Sequence, residues 1–299
     1  MGRGSYTAAD WNKLKNSRNI ASAKNEKEIF KSKKCDQRFD PKYIQKREAR
    51  DSEDHPESLP IIIGLDVTAS MGYLAEKVAK EALNETMMKL YSTSAVKDPT
   101  LMFAAYGDAS DESPLQVTQF ESDIRIAEQL LDLWLENGGR GMVTPNMLWY
   151  FAAKHTSLDN FEKRKKKGFI FTIGDEADCR NDSEKDALMY HYNRVFGEDI
   201  KMDVDEMLAA AEEKFEIFHI FLNDHHQKAK YLVKLLPGHT MAIRPDEIDA
   251  IPELIISTMQ MTNGMQLEKA VNQWPELKQP ILKKALSDLK IKGKKGLIF

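Results

Sequence analysis

One stretch constrains the fold of this chain more than any other: Ile61-Ile62-Ile63-Gly64-Leu65-Asp66-Val67-Thr68-Ala69-Ser70-Met71-Gly72. A β-branched run ends at an aspartate, two hydroxyl residues follow at a spacing of two, and an amphipathic run begins. That order reads as a buried strand, a polar loop and a helix start. It sets a carboxylate and two hydroxyls at the C-terminal end of a strand, the end at which open α/β sheets bind ligands.

The same grammar recurs along the chain. Apolar runs at 101–106, 168–174 and 215–222 read as further buried strands, with a short last one at 240–243. Residues 115–120 alternate apolar and polar, which predicts an edge strand antiparallel to its neighbour. Helical spacing fills the intervals: 71–92, then from the caps Ser122 and Asp123 to about 136, then from Thr144 and Pro145 to about 156, and 182–195, 203–213, 225–236 and 246–262. The expected fold class is α/β: a doubly wound, mostly parallel central sheet with one antiparallel edge strand and helices on both faces. Residues 58–262 form that domain in this reading. Residues 1–57 are expected to be a basic, partly disordered arm with weak helices at about 8–16 and 41–50, and 263–299 a helical extension and tail. The stripe Ile281, Leu282, Ala285, Leu286 and Leu289 marks a C-terminal helix, expected to pack back onto the domain. The basic run at 163–167 reads as a solvated turn.

Charge and cysteine content narrow the function classes. The net charge is −4 over 299 residues, so the whole chain does not read as a polyanion binder. Residues 1–50 hold 14 Lys/Arg against 6 Asp/Glu, a net of +8, which leaves −12 on residues 51–299. The two cysteines, Cys35 and Cys179, form no CxxC pattern and suit a reducing compartment. With no apolar leader and no run approaching the ~20 residues that span a bilayer, a soluble cytoplasmic protein without membrane contact is expected.

Three loops at C-terminal strand ends carry oxygen: 66–70, 138–144 and 174–178. The candidate ligands are the carboxylates of Asp66 and Asp175 and the hydroxyls of Thr68, Ser70 and Thr144. Oxygen donors favour a hard cation, Mg2+ first and then Mn2+ or Ca2+. Two carboxylates just neutralise a divalent ion, and hydroxyls add coordination without charge. Such an ion keeps open positions and can take a carboxylate from outside, which points to a metal-bridged binding site. Asp108 and Asp111 follow the second strand near the same rim as supporting groups or loop caps, and His219 reads as a core or rim histidine.

The segment Asp66-Val67-Thr68-Ala69-Ser70-Met71 resembles the D-x-[S/T]-x-S motif of the von Willebrand factor A (vWA) domain, its metal-ion-dependent adhesion site (MIDAS). Thr144 matches the family's second motif, and Asp175, preceded here by Gly174 where the family pattern reads T-D-G, matches the third. The resemblance covers roughly residues 58–260. It implies a Rossmann-like doubly wound sheet, no catalysis and no small-molecule substrate. The implied activity is Mg2+-dependent protein–protein interaction through an acidic residue of a partner. Intracellular bacterial and phage-type members often work beside AAA+ ATPases of the MoxR kind.

Other readings fit less well. A metal-dependent phosphotransfer enzyme of the haloacid dehalogenase type also begins with an aspartate after its first strand. It needs a second acid two residues on, where this chain has Thr68. A receiver domain lacks its acidic pair, since Gly64-Leu65 precede the aspartate, and the P-loop pattern is absent. A nucleic-acid-associated role would rest on the basic arm alone, without the interleaved aromatics that favour single strands.

Overall fold

Burial with a period of two sorts the strand residues onto two faces. In a strand, successive side chains point to opposite sides. Ile61, Ile63 and Leu65 accordingly join one apolar cluster and Ile62 the other, as Leu101, Phe103 and Ala105 separate from Met102, Ala104 and Tyr106. The structure is a computed structural model that describes residues 4–93, 96–139, 143, 145–175, 185–223 and 230–291.

In chain order the strands are β1 (Arg47–Ala49), β2 (Leu59–Asp66), β3 (Pro99–Tyr106), β4 (Leu115–Val117), β5 (Thr156–Leu158), β6 (Gly168–Gly174), β7 (Phe215–Phe221) and β8 (Thr240–Ala242). Among the described residues, six of them form the central sheet in the order β4-β3-β2-β6-β7-β8. Every pairing is parallel except β3 with β4. Helices cover both faces, so the fold is a doubly wound α/β sheet with one antiparallel edge strand. On one face pack α1 (Ala8–Ser17), α2 (Glu26–Ile29), α3 (Gly72–Lys77), α4 (Leu83–Ser92), α5 (Arg125–Leu131) and, from the C-terminal part, the helices Ile251–Thr262 and Gln279–Ser287. On the other pack α6 (Pro145–Lys154), α8 (Lys185–Phe196), α9 (Val204–Glu212) and α10 (Lys230–Leu235). α7 (Asp159–Arg164) precedes β6, and the chain closes with α11 (Ile251–Thr262), α12 (Leu267–Asn272) and α13 (Gln279–Ser287). No helix among the described residues is long and apolar enough to cross a membrane.

The N-terminal segment departs from the sequence expectation. Residues 4–57 are not a partly disordered arm: Tyr6, Trp11, Leu14, Ile20, Ile29, Phe30 and Phe39 are buried in the same cluster as the sheet. The high Lys/Arg content hides them, because the large apolar residues are scattered singly or in pairs through a polar and charged sequence. Long-range bonds hold the strap down. Tyr6 N donates to Ser122 O (2.9 Å) and Lys80 Nζ to Ala23 O (2.8 Å). The helix expected at 41–50 is instead a 3-10 turn followed by β1, which pairs in parallel with β5. The basic run at 163–167 is not all solvated either. Arg164 forms a two-pronged pair with Asp51 (2.8 and 2.9 Å), and Lys163 reaches Asp159 (2.7 Å).

His219 lies on β7, fully buried, with Nδ1 2.7 Å from Thr172 Oγ1 and Nε2 without a hydrogen-bond partner among the described residues. Burial pushes its pKa down to about 3, so the folded protein holds it neutral. An unfolded histidine titrates near 6.5. Between those values the unfolded chain binds a proton that the folded chain refuses, so this contribution to stability is complete above about pH 6.5 and falls as the pH drops. The expected slope is up to about 1.4 kcal/mol per pH unit. Urea melts at pH 7 and pH 5 measure it, and His219→Gln should flatten the dependence; an equal pH slope in the variant would remove His219 as its source.

Candidate functional site

Sheet order decides where the rim opens. β3 and β6 lie on opposite sides of β2, so the winding reverses there, and the crevice above a reversal is where doubly wound sheets place ligands. Asp66 is the last residue of β2, and Asp175 follows the last residue of β6.

Asp66 forms the floor of the crevice and has no exposed surface. Its Oδ1 accepts the Thr68 backbone N–H (2.9 Å) and the Thr68 hydroxyl (2.7 Å). This local bonding bends the chain away from the strand and leads into a 3-10 turn over Ala69–Met71 before α3. Thr68 Oγ1 lies 3.4 Å from Ser70 Oγ, and Ser70 Oγ donates to Asp175 Oδ1 (3.2 Å). Four of the five sequence-expected residues thus form one continuous run of oxygens, from the buried Asp66 to the exposed Ser70 and half-buried Asp175. The fifth, Thr144, lies outside the described residues, as do Cys179, His225 and His226. Its neighbours are placed at this end of the sheet: Val143 bridges Asp108, and Pro145 opens α6.

Gly174 explains the order Gly-Asp at the third strand end. A Cβ here would lie 2.9 Å from Asp66 Oδ2 and 2.9 Å from the Tyr106 hydroxyl, closer than a side chain tolerates. The missing side chain lets β6 approach the Asp66 carboxylate while Tyr106 donates to Ile173 O (2.9 Å). Sequence reading did not single out Tyr106. It also missed Asn223, just after β7, whose Nδ2 donates to Asp175 O (2.8 Å) and ties Asp175 to the neighbouring strand end. The usable signal was its place: a polar residue at the same sheet end one strand along.

The glycine loop before α6 closes the other side. Gly138 O accepts from Ala69 N (3.0 Å), and Gly139, at φ +120, brings its backbone against Thr68. Only glycine adopts that conformation readily. Asp111 staples the loops: Oδ1 accepts from Gly139 N (3.2 Å) and Oδ2 from Asp108 N (3.0 Å). Asp108 Oδ1 in turn accepts from the Ser110 N–H and hydroxyl. The two aspartates therefore act as loop caps. Burial and then the charge of Glu136 hold the Asp111 carboxyl above its usual range.

The crevice carries negative potential. Tyr73, half-exposed at the start of α3, has its phenol pushed up by burial and then by the charges of Asp175 and Asp66. Two carboxylates with two alcohols between them fit a hard divalent cation by donor chemistry. No group of three or more His, Cys, Asp or Glu placed to hold a metal occurs among the described residues, so any ion here would depend on hydroxyls and outside oxygens.

No family model and no curated protein sequence matches this chain. Among solved structures, it is similar to the pilus adhesin SpaC from Lactobacillus rhamnosus GG in its open conformation, at 10% identity and a TM-score of 0.44 over 72% of this chain and 31% of the adhesin. A second SpaC structure gives 11% identity and 0.44 over 70% and 31%. The chain spans less than a third of the adhesin's length.

Proposed function

We propose that this chain is a metal-dependent protein-interaction module of the vWA type, binding an acidic side chain of a partner protein through Mg2+ at the rim of its sheet. The observation that carries the reading is the hydrogen-bonded run Asp66–Thr68–Ser70–Asp175 at the winding reversal. Asp66, Thr68, Ser70 and Asp175 would hold the ion, and the family resemblance adds Thr144. Once bound, the ion supplies Lewis acidity toward an incoming carboxylate. The chain's own residues set the specificity. Two carboxylates neutralise a divalent charge without exceeding it, and Asn223 and Gly174 fix the Asp175 backbone against the floor.

The reading is non-enzymatic. Thr68 stands where a phosphatase of the haloacid dehalogenase type needs an acid, and its hydroxyl is committed to Asp66 Oδ1. The resemblance points to an AAA+ ATPase of the MoxR kind as the protein that works beside this module, in the cytoplasm.

Calorimetric titration of the full chain with MgCl2 should show saturable binding, and partners captured on the immobilised chain in Mg2+ should be released by EDTA. Equal capture with Mg2+ and with EDTA would overturn the reading.

A further inference from the structure

A cavity of about 710 Å3 opens between the segment 37–47 and α5, with none of the Asp66 crevice residues in its wall. That volume is within the range of small-molecule sites. Four cations face it: Arg38, Lys46, Arg47 and Arg125. Two of these are already matched. Arg38 pairs with Asp36 (2.8 Å) and Asp132 (3.5 Å), and Arg125 with Asp123 and Glu121 (2.9 Å each). Of the two carboxylates of the wall, Asp132 is already paired with Arg18 and Arg38, and Glu128 lies near Arg125.

Among the described residues, Arg47 and Lys46 pair with no carboxylate. Arg47 is half-buried, and one of its terminal nitrogens donates to the carbonyls of Arg38 and Val117 (3.0 Å to the latter) while Nε has no acceptor among the described residues. Burial alone lowers its pKa to about 10, as expected for a desolvated guanidinium facing no counter-charge. Such a group is costly to bury unless something supplies the charge. Lys46, exposed, lines the same wall next to Arg47 and brings a second positive charge to it. Beside them the Tyr43 ring lies 58% exposed on the cavity wall.

We propose that this cleft binds a small phosphate monoester, Arg47 and Lys46 holding the phosphate and Tyr43 packing against the group that carries it. Two unmatched cations answer the charge of roughly −1.5 to −2 on a phosphate monoester better than the single charge of a carboxylate. A planar guanidinium also matches the spacing of phosphate oxygens.

Titration calorimetry of the full chain with phenyl phosphate, inorganic phosphate and benzoate tests the assignment. Phenyl phosphate should bind saturably, inorganic phosphate more weakly for want of the ring, and benzoate at least about tenfold more weakly for want of charge. Lys46→Gln, at an exposed position, should weaken phenyl phosphate about tenfold, the scale of a lost charge-assisted contact. Arg47→Lys should also weaken it, with its melting temperature reporting any loosening of the Arg38 and Val117 contacts. Absence of saturable binding by phenyl phosphate, equal binding of benzoate, or an affinity unchanged in Lys46→Gln would each overturn the proposal.

Discussion

Asp66→Asn is expected to abolish Mg2+ uptake, with a loss of more than about 100-fold, while leaving the fold intact. Substitutions that only touch a metal ligand from outside cost 10–100-fold in affinity, and this one removes half the formal charge that would neutralise the ion. Asparagine preserves the shape and an oxygen that accepts from the Thr68 N–H and hydroxyl. Alanine would leave that buried N–H without its acceptor, at a cost of about 1–3 kcal/mol, and would mix a folding defect into the result. The amide also removes one of two negative charges from a crowded crevice. Without metal the variant should therefore melt no lower than the native chain. With Mg2+ present, only the native chain should gain stability, by the mass-action increment of a ligand that binds the folded state. Thermal melts of both proteins with and without MgCl2, beside calorimetry, read this directly. An Asp66→Asn protein that takes up Mg2+ as the native chain does would place any ion elsewhere.

Legibility from sequence followed the density of local signal. The β2 loop was readable because strand, acid, hydroxyls and helix start occupy twelve consecutive residues, and the antiparallel edge was readable from the apolar–polar alternation that opens the segment 115–120. The N-terminal strap was not. Trp11, Ile20, Ile29 and Phe39 follow neither helical nor strand spacing, and their burial depends on a surface that other segments build. The β1–β5 pair failed for a related reason: three-residue strands carry almost no periodicity, and their register joins positions 109 residues apart. At the site, the aspartates and hydroxyls declared themselves by type, whereas Gly174, Tyr106 and Asn223 matter through close approach and backbone bonds, which composition does not encode. Asp51 and Arg164 show the same limit for charges. Each belongs to a run that reads as solvated, and together they join two segments more than a hundred residues apart.

Deleting residues 276–299 should lower the melting temperature by more than about 10 °C. α13 buries Leu282 and Leu286 completely and Ala285 nearly so, against the cluster that includes the sheet and α11. Two fully buried leucines account for about 3–6 kcal/mol of transfer free energy, a large fraction of the 5–15 kcal/mol that separates a folded domain from its unfolded chain. At about 2–4 °C per kcal/mol for a domain of this size, the apolar loss alone gives a drop of about 6–24 °C. An electrostatic loss adds to it. Glu253 on α11 is fully buried, and its Oε1 is held by Lys89 of α4 and by Lys278, each at 2.5 Å. Lys278 also donates to Asp249 O (2.7 Å), and burial is outweighed by Glu253 and Glu85 in keeping its ammonium charged. Deletion removes one of the two cations around a carboxylate that has no access to water. Two point variants separate the contributions. Leu282→Ala should cost about 2–5 kcal/mol through the cavity it leaves, whereas Lys278→Met keeps the aliphatic stem and removes the ammonium with its bonds to Glu253 and Asp249. If the truncated chain melts within about 2 °C of the full one, α13 contributes nothing to the core and its apolar stripe is free to dock on another protein.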